Sequence, residues 1–317
     1  MSDASVVVEA PARIHFGLLD LRGDLGRRFG GLGAALQSPR LVLEARPAPA
    51  LSADGPDSGR VLEYAGSVQR AWGFGGGAAL RVRESLPAHS GLGSGTQLAL
   101  ATARALAEMF GRPHDAAALA ATTGRAQRSA IGTWAFARGG FILEGGRRDT
   151  GDAPAPLLLR QPMPESWRVV LAIPDVARGL SGPAEEQAFR DLPPPSAELT
   201  ASAAHVVLMQ VLPALVEADL PAFGRGVTEL QRLVGEMFRP VQGERFAHPL
   251  CAELVDALLA GGAAGAGQSS WGPAVFGLVE GDGAARALTD RIRVGLGGRG
   301  TLLVSAFSNA GARCSRA

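Results

Sequence analysis

The sequence predicts an α+β protein of two domains. Short β-branched or alternating runs are interleaved with Ala/Leu-rich stretches of helical spacing, and the tail reads strand, helix, strand, a pattern that favours antiparallel pairing. Residues 147–165 hold four prolines and mark the boundary, giving domains at 1–155 and 165–317.

In chain order, Val6–Ala10 (VVVEA) reads as a strand, Pro11–Gly23 alternates in part, Arg27–Leu36 is glycine-rich, and Leu41–Ala48 is a second strand. Residues 49–60 are rich in Pro, Asp, Ser and Gly and read as a surface loop. Ala79–Ser85 alternates and leads into a glycine loop, followed by a long helix over Leu98–Gly111 and another over His114–Arg128. Gly139–Gly146 reads as a strand between glycine turns and Trp167–Pro174 as a buried strand. Leu199–Asp219, which Pro213 should kink or divide, Pro221–Phe238 and His248–Gly262 read as helices. PAVFGLVEG, AARALTDRIR and GTLLVSAFS complete the tail as strand, helix and strand.

Composition bounds the function. Hydrophobic residues make up 46% and charged ones 19%, with a net charge of +1, so no global field points to nucleic acid. Every one of the 31 basic residues is arginine. Schiff-base, general-base and phosphate-loop lysines are therefore excluded, and anions must be held by arginine forks, backbone N–H groups or a metal. Cys251 and Cys314 lack the short spacing of a disulfide framework or zinc site. With no signal segment and no apolar run of membrane-spanning length read from the sequence, a cytoplasmic protein is expected.

The most informative stretch is Pro87–Gln97, PAHSGLGSGTQ. Gly91, Gly93 and Gly95 permit positive φ and close ligand approach, while Ser94 and Thr96 fall where a helix presents free N–H groups and its positive dipole end. A glycine loop feeding a helix N-terminus suits phosphate. A tight turn packed against a neighbour is the alternative.

PAHSGLGSGTQ resembles the phosphate loop of the galactokinase, homoserine kinase, mevalonate kinase and phosphomevalonate kinase (GHMP) superfamily, and GAGQSSWGP (Gly265–Pro273) its second glycine-rich motif. RIHFGLLDL (Arg13–Leu21), RRFGGLG (Arg27–Gly33), RSAIGTWAFARGGFILEGG (Arg128–Gly146) and GLSGPAEEQAF (Gly179–Phe189) are similar to the beta-ribofuranosylaminobenzene 5′-phosphate synthase branch. The resemblance implies a GHMP-kinase-like two-domain fold: a first domain like the second domain of ribosomal protein S5, and a ferredoxin-like second domain. It further implies decarboxylative condensation of 4-aminobenzoate with phosphoribosyl pyrophosphate, releasing CO2 and pyrophosphate, in tetrahydromethanopterin biosynthesis. Mg²⁺ is the implied cofactor, and a homodimer without nucleic-acid or membrane partners the implied assembly. Where kinases of the superfamily carry an aspartate, this chain holds Thr133. An ATP-dependent small-molecule kinase and a silent metabolite sensor are the rival readings.

Within that resemblance, Gly91, Gly93, Ser94, Gly95 and Thr96 are assigned to pyrophosphate or 5′-phosphate, with Arg13 beside them. Gln97 could reach ligand or metal, or lie exposed on the surface. Arg128 and Ser129 could form a charge-assisted fork to phosphate, and His15 could donate to carboxylate or phosphate or be a satisfied core histidine. In regular β geometry Arg13 and His15 share a face, with Asp20 opposite. Arg27 and Arg28 are placed to grip the benzoate carboxylate or a phosphate. Gln268, Ser269 and Ser270 offer donors beside Trp271, an aromatic wall for the ring or a core tryptophan. Glu185 and Glu186 could hold Mg²⁺ or the aromatic amine, or form a solvated first helical turn.

Overall fold

The computed structural model describes residues 5–112, 115–148, 153–177, 180 and 182–316. His114, where a helix was expected to begin, and Gly179 of the Gly179–Phe189 segment lie outside them. Two long strands carry the first layer. β1 (Val6–Asp20) is built from β-branched and alternating residues, and β2 (Phe29–Ala48) joins the two segments read separately from the sequence. They pair antiparallel along almost their whole length, with register shifts at Pro11/Ala12 and His15/Gly17.

The stretch read as a loop instead contains β3 (Ser52–Asp54) and the start of α1 (Ser58–Trp72), whose buried Val61, Ala65 and Val68 give it one core-facing stripe. β4 (Gly77–Glu84) then leads into the glycine loop and α2 (Ser94–Phe110), which starts and stops at left-handed Gly93 and Gly111. The second expected helix is one short piece, α3 (Ala116–Thr122); the turn after it runs into α4 (Ile131–Arg138), absent from the sequence reading because Gly132 and Thr133 are poor helix formers. β5 (Phe141–Glu144) pairs with β2 and with β6 (Leu157–Gln161), a strand inside the proline-rich boundary.

The second sheet has order β10-β7-β9-β8, from β7 (Trp167–Pro174), β8 (Gly265–Gln268), β9 (Val275–Glu280) and β10 (Gly300–Ala306). α5 (Pro183–Asp191) precedes α6 (Ala197–Val206), a π-helical turn (Val207–Val211) and α7 (Leu212–Val216), the division falling just before Pro213. Contrary to the sequence reading, the continuous 197–216 run is long and apolar enough to span a membrane, at mean hydropathy 1.7. It packs along α8 (Leu220–Gln242), which also covers β8. α9 (Pro249–Ala260) and α10 (Gly281–Leu296) back the sheet, and β11 (Arg313–Arg316) returns to pair with β1.

One core joins the layers. Phe16 of β1 meets Phe141 (β5), Phe223 (α8) and Phe276 (β9) at centroid distances of 6.2, 5.9 and 5.5 Å, and Trp167 of β7 meets Phe223 at 5.0 Å. The Phe16 pairs with Phe223 and Phe276 are edge-on, and such pairs contribute about 0.5–1.5 kcal/mol each beyond area burial. The cleft between the layers is therefore set on a rigid floor.

Candidate active site

The glycine loop is fastened to both halves of the molecule. Arg13 N–H donates to Leu92 O (3.1 Å), and Ala274 N–H to Ser90 O (2.9 Å). Gly91 O accepts from the Arg13 guanidinium and from Ser269 Oγ (2.7 Å), whose oxygen accepts in turn from His15 N–H (2.9 Å). Gly91, at φ +88°, has no room for a side chain: a Cβ would stand 2.1 Å from Ser269 O. Its glycine is required by the approach of the β8–β9 turn as well as by its backbone.

This clasp aims the start of α2 into an outer chamber of about 410 Å³. Gly93 supplies no side-chain cap, so the first N–H groups of the helix are left for an anion. Arg13, Arg60 and Arg125 line the same chamber. Arg125 donates to Tyr64 Oη and lies 5.0 Å over its ring; Arg60 pairs with Asp57 at 3.2 Å. Arg13 is half-buried; loss of solvent around its guanidinium lowers its pKa to about 10, with Glu185 opposing the shift, and its Nε is sealed from solvent without a protein partner. A desolvated guanidinium with an unused donor suits an anion.

Arg13, Thr96, Arg125 and Trp271 also border an inner chamber of about 240 Å³. Its wall is a trio of rings: Trp271 contacts Phe238 at 4.8 Å and Phe189 at 5.5 Å, and Phe189 contacts Phe238 at 5.7 Å, each edge-on. Arg128 lies 5.3 Å over Phe189 and pairs with Glu185 at 2.6 Å, which closes α5 onto the cleft. His15 and Ser129 meet at the chamber floor, Nε2 to Oγ 3.1 Å. Burial pushes the His15 pKa down to about 3, and the Arg13 charge adds to the shift, so the ring is neutral at physiological pH.

Of the residues expected from the sequence, Arg13, His15, Arg128, Ser129, Gln268, Ser270, Trp271 and Glu185 border the inner chamber, and Gly91, Gly93, Ser94, Gly95 and Thr96 the outer one. Several roles need correction. Gln97 is fully buried, neither on the surface nor in the cleft, and donates to Gly132 O (2.9 Å). Ser269 is fully buried within the clasp and has no face for substrate. Gln268 spends its amide on backbone, accepting from Ala247 N–H and donating to Ser270 O, both at 3.0 Å, so it shapes the turn rather than reacting. Arg28 leaves the cleft altogether: it donates to Leu21 O and lies over Phe29, while Arg27 donates to Gly146 O. Asp20 caps the β1–β2 turn by accepting from Arg22 and Gly23 N–H. Glu185 is held by Arg128, and Glu186 stands in the first turn of α5.

Arg60, Tyr64, Arg125, Phe189 and Phe238 were not identified from the sequence. Arg60 sat in a stretch read as loop and Arg125 in one read as helix, so neither had a motif to mark it. Glu144, fully buried at the end of β5, was missed as well. Its only sequence signal is a lone carboxylate in an otherwise apolar strand.

Comparison with known proteins gives a consistent result. The GHMP kinases N terminal domain family matches residues 60–140, and the GHMP kinases C terminal family residues 211–294. Beta-ribofuranosylphenol 5′-phosphate synthase of Methanothermobacter thermautotrophicus is 36% identical over 87% of this chain and 89% of its own length. The protein of the same name from Archaeoglobus fulgidus is 33% identical over 89% and 91%. Among solved structures, L. major mevalonate kinase in complex with R-mevalonate superposes with a TM-score of 0.73 at 16% identity, covering 96% of each chain.

Proposed function

The chain belongs to the beta-ribofuranosylphenol 5′-phosphate synthase family, and we propose that it is itself such a synthase. It condenses a para-substituted benzoate, 4-aminobenzoate or its hydroxy counterpart, with phosphoribosyl pyrophosphate, releasing CO2 and pyrophosphate, as a step of tetrahydromethanopterin biosynthesis. One observation carries the reading: a cationic chamber at a helix N-terminus opens directly into an aromatic-walled chamber, with Arg13, Thr96 and Trp271 at their junction.

That junction is where the reacting atoms belong. The C–O bond to pyrophosphate breaks as negative charge grows on the leaving group, opposite the α2 N-terminus and the arginines. The anomeric carbon gains oxocarbenium character, and the ring carbon bearing the carboxylate attacks it from the aromatic chamber. Cleavage of the bond to CO2 then returns an electron pair to the ring. Phe189, Phe238 and Trp271 hold the ring and exclude water, which would otherwise capture the cation.

A kinase reading lacks its base. Thr133 is buried in α4, and its hydroxyl has no partner; it offers no carboxylate to an incoming alcohol. Among the described residues no group of three or more His, Cys, Asp or Glu could hold a metal, and the Glu185 carboxylate is engaged by Arg128. The residues do not fit a resident Mg²⁺; the ion enters as the counter-ion of the pyrophosphate, as part of the substrate. A homodimer completes the proposal, supported by Leu208 and Met209 of the π-helical turn and Val216 of α7, which are large, apolar and exposed.

The test is release of CO2 from carboxyl-labelled acceptor with phosphoribosyl pyrophosphate and Mg²⁺. Release that depends on both substrates, and fails with ATP, is expected. ATP consumption with a small-molecule acceptor and no CO2 would overturn the reading.

A further inference from the structure

Three guanidinium groups converge on the first turn of α2, each from a different part of the chain: Arg13 from β1, Arg60 from α1 and Arg125 from the segment between α3 and α4. A Cβ at Gly95 would stand 2.8 Å from Arg60 Nη2 and 3.6 Å from both Nη atoms of Arg125, and one at Gly93 would stand 3.4 Å from Arg13 Nε. The two glycines thus keep open the space in which the cations meet the uncapped N–H groups of the helix. Like charges gathered this closely repel unless an anion lies among them. The chain supplies little of that anion. Asp57 pairs with Arg60, but the Arg13 guanidinium donates to Gly91 O and that of Arg125 to Tyr64 Oη, neither of them a carboxylate. Glu185, which borders both chambers, is engaged by Arg128 at 2.6 Å.

The three cations are not equivalent. Arg13 and Arg125 border both chambers, and each has an Nε sealed from solvent without a protein partner. Arg60 borders the outer chamber and not the inner one. We propose that these arginines divide the diphosphate between them: Arg13 and Arg125 grip the phosphoryl group next to the scissile bond and are catalytic, while Arg60 grips the outer phosphoryl group and sets the preference for a diphosphate leaving group. The proposal rests on the synthase reading and deepens it by ordering the leaving group along the cleft.

As the C–O bond breaks, its electron pair stays on the oxygen of the leaving group, and the ring carbon forms its bond to the anomeric carbon from the aromatic chamber. Arg13 and Arg125 donate N–H groups to the phosphoryl group that gains this charge. No proton is transferred, because a guanidinium keeps its protons. Donors fixed before the charge develops need no reorganisation during the step. Both are fixed here, Arg13 by Gly91 O and Arg125 by Tyr64, which accepts from it and places its ring 5.0 Å away. The outer phosphoryl group changes charge far less, so Arg60 binds substrate and transition state alike.

The experiment pairs steady-state kinetics with calorimetric binding of pyrophosphate and of inorganic phosphate, each with Mg²⁺, in wild type, Arg125→Ala and Arg60→Ala. Expected for Arg125→Ala is a fall in kcat of about 100-fold, the size of losing one preorganised donor, with KM for phosphoribosyl pyrophosphate within about threefold. Millimolar guanidinium should restore part of that kcat, which it could not do for a misfolded variant. Arg60→Ala should show the opposite split: kcat within about twofold and KM raised about tenfold, with pyrophosphate binding weakened as much and phosphate binding unmoved. Wild-type kcat in folded Arg125→Ala, or a fall in kcat at unaltered KM in Arg60→Ala, would overturn the proposal and leave the synthase reading intact. The binding arm needs no turnover. A wild-type preference for pyrophosphate over phosphate that Arg60→Ala abolishes would support the division even if no CO2 were released; equal wild-type affinity for the two anions would refute it.

Discussion

Replacing Ser269 with alanine separates a structural role from a substrate contact. Its Oγ donates to Gly91 O and accepts from His15 N–H, and the residue is fully buried. Alanine removes both bonds. Gly91 O retains the Arg13 guanidinium, but His15 N–H is left buried without an acceptor. An orphaned buried donor costs about 1–3 kcal/mol and the second lost bond about 1 kcal/mol, so the total is about 2–4 kcal/mol. For 317 residues at about 2.1 cal/mol/K per residue, the unfolding entropy is about 0.7 kcal/mol/K, which makes the loss worth about 3–6 °C in Tm. The assay is thermal unfolding alongside steady-state kinetics for both substrates. Expected is the fall in Tm with KM for phosphoribosyl pyrophosphate raised, since the glycine loop has lost a tether, and KM for the benzoate little changed. Undiminished Tm with a raised KM for the benzoate alone would refute the reasoning and restore Ser269 to the substrate-binding role expected from the sequence.

Two further outcomes follow from the geometry. Glu144 has a folded pKa of about 7 against an ordinary 4.5. The folded state thus holds a proton that the unfolded state has released, and the stabilisation is complete below pH 4.5 and lost as pH rises to 7; at 1.36 kcal/mol per unit it amounts to about 3 kcal/mol. Urea unfolding at pH 4.5 and 7.5 should show this slope in wild type and its flattening in Glu144→Gln, and an identical slope in the variant would remove Glu144 as its source. Because Glu185 serves Arg128, Glu185→Gln should leave the Mg²⁺ concentration for half-maximal activity unchanged while lowering kcat/KM through loss of the α5 closure. A large rise in the Mg²⁺ requirement would return Glu185 to a metal role.

The parts of the fold legible in the sequence were those whose signal is local. β1, β7 and α2 announce themselves through β-branched runs and Ala/Leu spacing, and the two glycine loops through their motifs. α1 was hidden because its first turn lies in a Pro/Asp/Ser/Gly stretch, and α4 because Gly132 and Thr133 weaken its propensity; packing of α1 on α2 and β3, and of α4 on α2, β1 and β2, overrides both. In the site, residues carried by a motif were found, but roles were misjudged wherever a polar side chain turns back on the backbone. Ser269 and Gln268 have the same composition signal whether they meet substrate or a carbonyl. Only the approach of the glycine loop, which would set a Cβ at Gly91 2.1 Å from Ser269 O, shows which it is.

The same clasp explains how a kinase-like fold accommodates ribosyl transfer. The shared requirement is an anion held at a helix N-terminus, and the loop, α2 and Arg13 meet it whatever bond breaks next. What differs lies beyond the junction. Where a kinase would need a base to deprotonate an alcohol, Thr133 is sealed within α4, and the space faced by an acceptor is instead walled by Phe189, Phe238 and Trp271. An attacking ring carbon needs no base at the bond-forming atom; it needs a dry, planar slot and relief of charge at the far end of the ring. The ring trio of Phe189, Phe238 and Trp271 supplies that slot without altering the phosphate-binding half of the site.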